Sequence, residues 1–117
     1  MRAKDAVGQY GEAVAARHLA DAGLTVVARN WRCAAGEIDL VALDRDTLVI
    51  CEVKTRSTGY CTPAEAVTRK KAAKLRELAL WWLREHPGDG RDIRFDVVSV
   101  VLPRAGAAQV EHLRAVL

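Results

Sequence analysis

Residues 36–56, GEIDLVALDRDTLVICEVKTR, restrict the possible folds more than any other stretch of this chain. Ile38 to Leu43 and Leu48 to Cys51 are short apolar runs rich in β-branched residues, and Asp44, Arg45, Asp46 and Thr47 between them are turn formers, so the stretch predicts a β-hairpin. With Arg45 and Asp46 as a two-residue loop, Asp44 pairs with Thr47 and Leu43 with Leu48, and the ladder counted back sets Asp39 opposite Glu52. Opposite residues share a face with their Cβ atoms about 4.5–5.5 Å apart, and the alternation of a strand brings Lys54 to the same face.

Two carboxylates and an ammonium group are therefore expected together. Acidic residues paired with lysines also line many exposed sheet faces, and that is the plainer account. Against it, Glu52 lies in LVICEV, an unbroken apolar strand of the kind buried on both faces, where an ionised carboxylate needs compensation. A divalent cation held by hard oxygen ligands would provide it. Lys54 could then orient a water nucleophile or offset charge growing on a phosphoryl oxygen.

The rest of the composition sets the frame for this site. At 117 residues, half of them hydrophobic, the chain predicts one domain over 1–117 with a substantial core, and the net charge of +3 leans toward polyanionic partners. Cys33, Cys51 and Cys61 form no CxxC pair, which argues against a disulfide framework or structural zinc and for a reducing cytoplasm. No apolar run approaches the roughly 20 residues of a membrane span, and the charged start MRAKDAVGQYGE has no signal-peptide core.

In chain order, Asp5 to Ala22 predicts an alanine-rich helix stopped by Gly23. At about 100° per residue Gly8, Ala15, Ala16 and Leu19 form its apolar stripe, and Glu12 falls in the middle of that stripe, pointing inward. A boundary glutamate with a packed stem would look the same, but the acidic site nearby gives this one a use. Leu24 to Arg29 predicts a strand and Asn30 to Ala35 a connection, in which Trp31 and Arg32 serve either as sheet-edge cover and solvated charge or as contacts to nucleic acid. Thr55 to Cys61 predicts a flexible stretch beside the site, with Arg56 either solvated or on a phosphate.

A second helix is expected from about Pro63 to Glu85, opened by Thr62-Pro63-Ala64-Glu65 and closed by His86-Pro87-Gly88. It carries Arg69, Lys70, Lys71, Lys74, Arg76 and Arg84. Leu75, Leu78, Ala79 and Trp82 form the inward stripe, and Lys71 points between Leu78 and Trp82, either snorkelling or reaching the carboxylates. Lys70, Lys74 and an exposed Trp81 share another face that would offer charge and a stacking surface to nucleic acid, although such faces are often only solvated. IRFDVVSVVL predicts a last long strand, with Asp96 paired to Arg94 or Arg91, and Gln109 to Leu117 an edge strand or helical turn. His18, His86 and His112 have no metal-ligand spacing.

The acid ahead of Glu52-Val53-Lys54 resembles the PD-(D/E)XK nuclease motif. Gly36 to Val41, Glu52-Val53-Lys54, Ala66-Val67-Thr68 and Arg94 to Val98 together resemble the YraN family of small uncharacterised bacterial proteins, which is similar to Holliday-junction resolvases. The resemblance runs through nearly the whole chain; Ile38 stands where the motif name has proline, and Arg69 where the family often has proline. It implies an α/β, restriction-endonuclease-like αβββαβ core with a mixed central sheet flanked by helices. It further implies Asp39, Glu52 and Glu12 as ligands to Mg2+ or Mn2+, Lys54 as the catalytic lysine, and a DNA phosphodiester as substrate, on branched or structured DNA. Arg56, Lys70, Lys71 and Lys74 would contact the nucleic acid. Junction cleavage favours a two-fold homodimer, and small nuclease domains often rely on protein partners. The competing expectation is a non-catalytic nucleic-acid-binding accessory module built on the same fold.

Overall fold

The computed structural model describes residues 6–57, 69–88 and 92–117. In order these form α1 (Ala6–Asp21), β1 (Thr25–Cys33), β2 (Gly36–Asp44), β3 (Thr47–Arg56), α2 (Arg69–Glu85), β4 (Asp92–Val101) and β5 (Gln109–Leu113). The strands make one mixed sheet ordered β1-β2-β3-β4-β5, antiparallel throughout except for the parallel pair β3–β4. A parallel pair needs a crossover, and the segment containing α2 supplies it. The fold is thus the α/β arrangement expected, with β5 settled as an edge strand.

β3 is central, and its alternation explains why its sequence has no polar face. Val49 and Cys51 enter one core with Ala15 and Leu19 of α1, Leu40, Ala42, Val98 and Val100. Leu48 and Ile50 enter the other with Leu75, Leu78, Ala79 and Trp82 of α2, Ile38 and Val41. All four β3 residues are fully buried, each aliphatic side chain stabilising the fold by about 1.5–3 kcal/mol relative to exposure. α1 turns its Gly11, Glu12, Ala15 and Leu19 stripe inward. It ends in a Schellman turn: Gly23 stands at φ 98°, its N–H donates to Ala20 O, and Leu24 N–H donates to Leu19 O, both at 3.0 Å.

Two boundaries differ from expectation. Asn30 to Cys33 is not a connection but the second half of β1, with Trp31, Arg32 and Cys33 paired to Ile38, Glu37 and Gly36. Ladder pairing with β2 outweighs the turn-like composition, at the cost of a left-handed φ of 52° at Asn30, a residue type that tolerates it. Ala28 and Trp31, three apart, both pack on the α2-side core, as do Ile38 and Val41. The in–out alternation therefore slips on both strands at the level of Asn30 and Asp39.

β3, in turn, runs through Arg56, because parallel pairing with β4 continues to Arg56↔Val101 and Leu102 N–H donates to Arg56 O at 2.7 Å. The predicted cap at Thr62 to Glu65, together with Gly59, Cys61 and Arg91, lies outside the described residues. Trp31 covers the sheet edge, edge-on to Trp82 at 5.1 Å, and Trp82 stacks on His86 at 3.7 Å. His86 closes α2 by donating its backbone N–H to Trp82 O at 2.9 Å. Among the described residues no helix is long and apolar enough to cross a membrane.

Candidate functional site

The hairpin adopts the register that a two-residue loop dictates, Asp44↔Thr47 through Leu40↔Cys51, with Arg45 turning the chain at φ 56°. The ladder stops one pair short of Asp39 and Glu52. In its place the Asp39 carboxylate accepts the Val53 N–H through Oδ2 at 2.9 Å, standing in for a backbone carbonyl and pinning the acid against β3. Asp39 and Glu52 line one cavity of ≈ 460 Å³, walled by the β1–β2 turn and Leu75 of α2.

On the α2 side of β3, Glu52 meets helix charge directly. Lys71 Nζ stands 2.7 Å from Glu52 Oε1, with the two side chains 31% and 15% exposed. Glu52 Oε2 is buried and makes no hydrogen bond among the described residues. Lys54 lies beside the pair: burial pushes its ammonium below the ordinary lysine value, the adjacent Lys71 ammonium pushes the same way, Glu52 opposes, and Arg56 adds to the lowering. Arg56 is a half-buried strand residue rather than a loop arginine, and its Nε is buried without a hydrogen-bond partner among the described residues. Lys71 and Lys54 thus stand by Glu52, Arg56 lies beyond Lys54, and Asp39 shares the Glu52 cavity; the surplus of positive charge along β3 suits an anionic ligand.

The remaining predicted residues fall around this centre. Glu12 points inward and is 1% exposed, yet it is not among the residues lining the Asp39–Glu52 cavity. Among the described residues no group of three or more His, Cys, Asp or Glu side chains is gathered to hold a metal ion. Two carboxylates nevertheless suffice for Mg2+, which commonly takes one or two plus waters and substrate phosphates, and the buried Glu52 Oε2 is an oxygen of the right kind.

Lys70, Lys71, Lys74 and Glu77 line an open hollow of ≈ 510 Å³ along α2. Lys74 Nζ donates to Ala35 O at 2.7 Å, tying the β1–β2 turn to the helix. Trp81, expected to be exposed, is half-buried with the Arg84 guanidinium 4.9 Å over its ring.

A second charged cluster extends the expected Asp96–Arg94 pair, which forms. Asp96 is fully buried in mid-strand and accepts hydrogen bonds from Arg94 Nε (2.9 Å) and Nη2 (3.0 Å) and from the Ala115 N–H (3.0 Å), while His112 Nε2 lies 2.7 Å from its Oδ2. Arg94 Nη1 also donates to Asp44 at 2.9 Å, and Arg114 approaches Asp44 at 3.6 Å. Only alternate spacing to Arg94 hinted at this in the sequence; the partners from β5 and the hairpin turn are distant along the chain.

Fold and site together define a small α/β sheet protein whose central strand presents Glu52, Lys54 and Arg56 beside an aspartate held by its neighbour. The chain belongs to the Uncharacterised protein family UPF0102, whose model matches residues 11–100. It is 62% identical over 117 residues to a UPF0102 protein of Beutenbergia cavernae, covering 99% of each chain. It is 56% identical over 115 residues to one of Frankia casuarinae (97% of this chain, 98% of the relative), and 57% identical over 118 residues to one of Kineococcus radiotolerans (99% and 97%).

Proposed function

We propose that this chain is a divalent-metal-dependent nuclease that hydrolyses phosphodiester bonds in DNA, with branched or structured DNA as its substrate. The observation that carries the reading is the cluster on β3: Glu52 against Lys71 at 2.7 Å, Lys54 beside them, and Asp39 lining the same cavity as Glu52. Asp39 and Glu52 would hold Mg2+ or Mn2+. Bound there, the ion would supply Lewis-acid polarisation of a phosphoryl oxygen and a more acidic water. Lys54 Nζ, whose proton is held less tightly than that of an ordinary lysine, would exchange a proton with the attacking water or donate to the phosphoryl oxygen. Arg56, Lys70, Lys71 and Lys74 would engage the backbone phosphates, and a two-fold pair of chains would present two sites to a junction.

A second reading is an accessory module that binds nucleic acid without turnover. It is favoured by Glu12, which the family resemblance implies as a metal ligand but which does not line the Asp39–Glu52 cavity. Duplex, single-stranded, flapped and four-way-junction DNAs, with RNA counterparts, incubated with Mg2+ or Mn2+ separate the two. Cleavage that Glu52→Ala abolishes is the expected result. Salt-sensitive binding that survives Glu52→Ala, with no cleavage of any substrate, would establish the accessory module instead.

A further inference from the structure

Lys71 occupies a border. Its ammonium is 2.7 Å from Glu52 Oε1, yet the same residue lines the open hollow that Lys70 and Lys74 share along α2. Lys54 stands next to it, so two ammonium groups crowd one carboxylate while the other oxygen of that carboxylate makes no hydrogen bond among the described residues. A carboxylate in this position cannot fully serve a lysine and a dication together, because like charges at such separations repel strongly in a half-buried setting. Of the two lysines, Lys71 is the one that contacts a Glu52 oxygen directly, at 2.7 Å. Lys71 has a four-carbon stem at the edge of the hollow and a side chain 31% exposed, so its ammonium has a path outward into that hollow.

We infer that Lys71 is the resident counter-ion of the acidic site, displaced when a divalent cation takes Glu52, and that its release into the hollow beside Lys70 and Lys74 couples metal loading to nucleic-acid binding. The inference rests on the metal-site reading above and adds a direction of control. Without metal, Lys71 neutralises Glu52 and is withheld from the basic face. With metal, Glu52 is satisfied by the ion and the face gains a third lysine. Linkage makes the effect reciprocal: nucleic acid that engages Lys71 strengthens metal binding by the same factor.

The test is calorimetric titration of Mn2+ into wild type, Lys71→Met, Lys71→Gln and Glu52→Gln, with thermal unfolding to establish that each variant is folded. Salt-matched binding of a four-way DNA junction, with and without Ca2+, follows on the same proteins. Removing Lys71 should tighten Mn2+ binding by about tenfold, within the usual range of site-to-site coupling, and Glu52→Gln should abolish it. Ca2+ should strengthen junction binding by wild type and leave both Lys71 variants unchanged. Glu52-dependent Mn2+ binding that is equal or weaker in both Lys71 variants overturns the exchange while leaving the metal site standing. Absence of Glu52-dependent binding in every protein overturns the metal site and the exchange with it.

Discussion

Gly11 of α1 and Thr55 of β3 meet with no room between them for a side chain: a Cβ built on Gly11 would overlap the Thr55 hydroxyl and methyl. Helix propensity alone favours alanine over glycine inside a helix by about 1 kcal/mol. The contact reverses that preference. Gly11→Ala should destabilise the protein by about 1–3 kcal/mol, as overpacking of a close contact does, seen as a lower urea midpoint. Because the clash is with one side chain, Gly11→Ala combined with Thr55→Ala should recover part of the loss. Additive losses in the double variant would show that α1 does not seat on β3 here.

Asp96 makes acid stability depend on one buried carboxylate. Burial pushes its carboxyl up, but hydrogen bonds from His112, Arg94 and the Ala115 N–H, with the Arg94 charge, outweigh it, and the group lies below its ordinary value. A carboxyl lowered in the folded state binds fewer protons there than in the unfolded chain. Its stabilisation is therefore complete above the unfolded value, about pH 4, and is lost as pH falls through the folded value. Asp96→Asn should cost about 1.5–3 kcal/mol at neutral pH, since the charged acceptor of Arg94, His112 and the Ala115 N–H is lost while Arg94 keeps only Asp44. Urea midpoints of wild type and variant should converge as the pH falls below about 4. A constant difference across that range would mean that Asp96 is not ionised in the folded protein.

What could be read from the sequence was what depends on local periodicity. The loop Arg45-Asp46 set the hairpin register down to Leu40↔Cys51, and the helical period turned Glu12 inward and put Lys71 on the core side of α2, where of the two expected options it reaches Glu52. What could not be read depends on elements that meet only after folding. Asp44, Asp96, His112 and Ala115 converge because β4 lies parallel to β3 and β5 returns along β4, and no window of sequence contains them all. The need for glycine at position 11 has no local signal, because its reason, Thr55, lies on β3. Arg56 looked like a loop residue because its pairing partner Val101 is also remote. The placement of Asp39 was only partly legible: alternation gave the neighbourhood, whereas the slip beside Asn30 and the bond to Val53 replaced the expected ladder pair.

Cys51 offers a chemical reading of the core. Burial, followed by the Asp96, Asp39 and Glu52 charges, pushes its thiol far above the ordinary value, and the residue is 0% exposed. Both cysteines border the cavity with Asp39 and Glu52, but only Cys33 is partly exposed. Iodoacetamide should therefore label Cys33 in the native protein while Cys51 reacts only through unfolding, slowed by about a thousandfold or more for a domain of ordinary stability. Peptide mass spectrometry over a labelling time course measures both sites in one sample. Comparable native rates would mean that the centre of β3 is not packed between the two helices.

Lys54 carries the most direct test of the site's electrostatics in the metal-free protein. Burial lowers its ammonium first and Lys71 next, so the folded chain releases this proton at lower pH than the unfolded chain does. Over that interval the unfolded state binds more protons, and stability rises with pH. Lys71→Met removes a like charge while leaving burial in place; it should move the Lys54 titration upward without restoring the ordinary value. Glu52→Gln removes the opposing carboxylate and should move it further down. Side-chain nitrogen or terminal-carbon NMR shifts of Lys54, followed against pH in the three proteins, give the order directly. An order in which Glu52→Gln lies highest would mean that Lys54 faces away from Glu52, and the proposed role of Lys54 at a phosphate would fail with it.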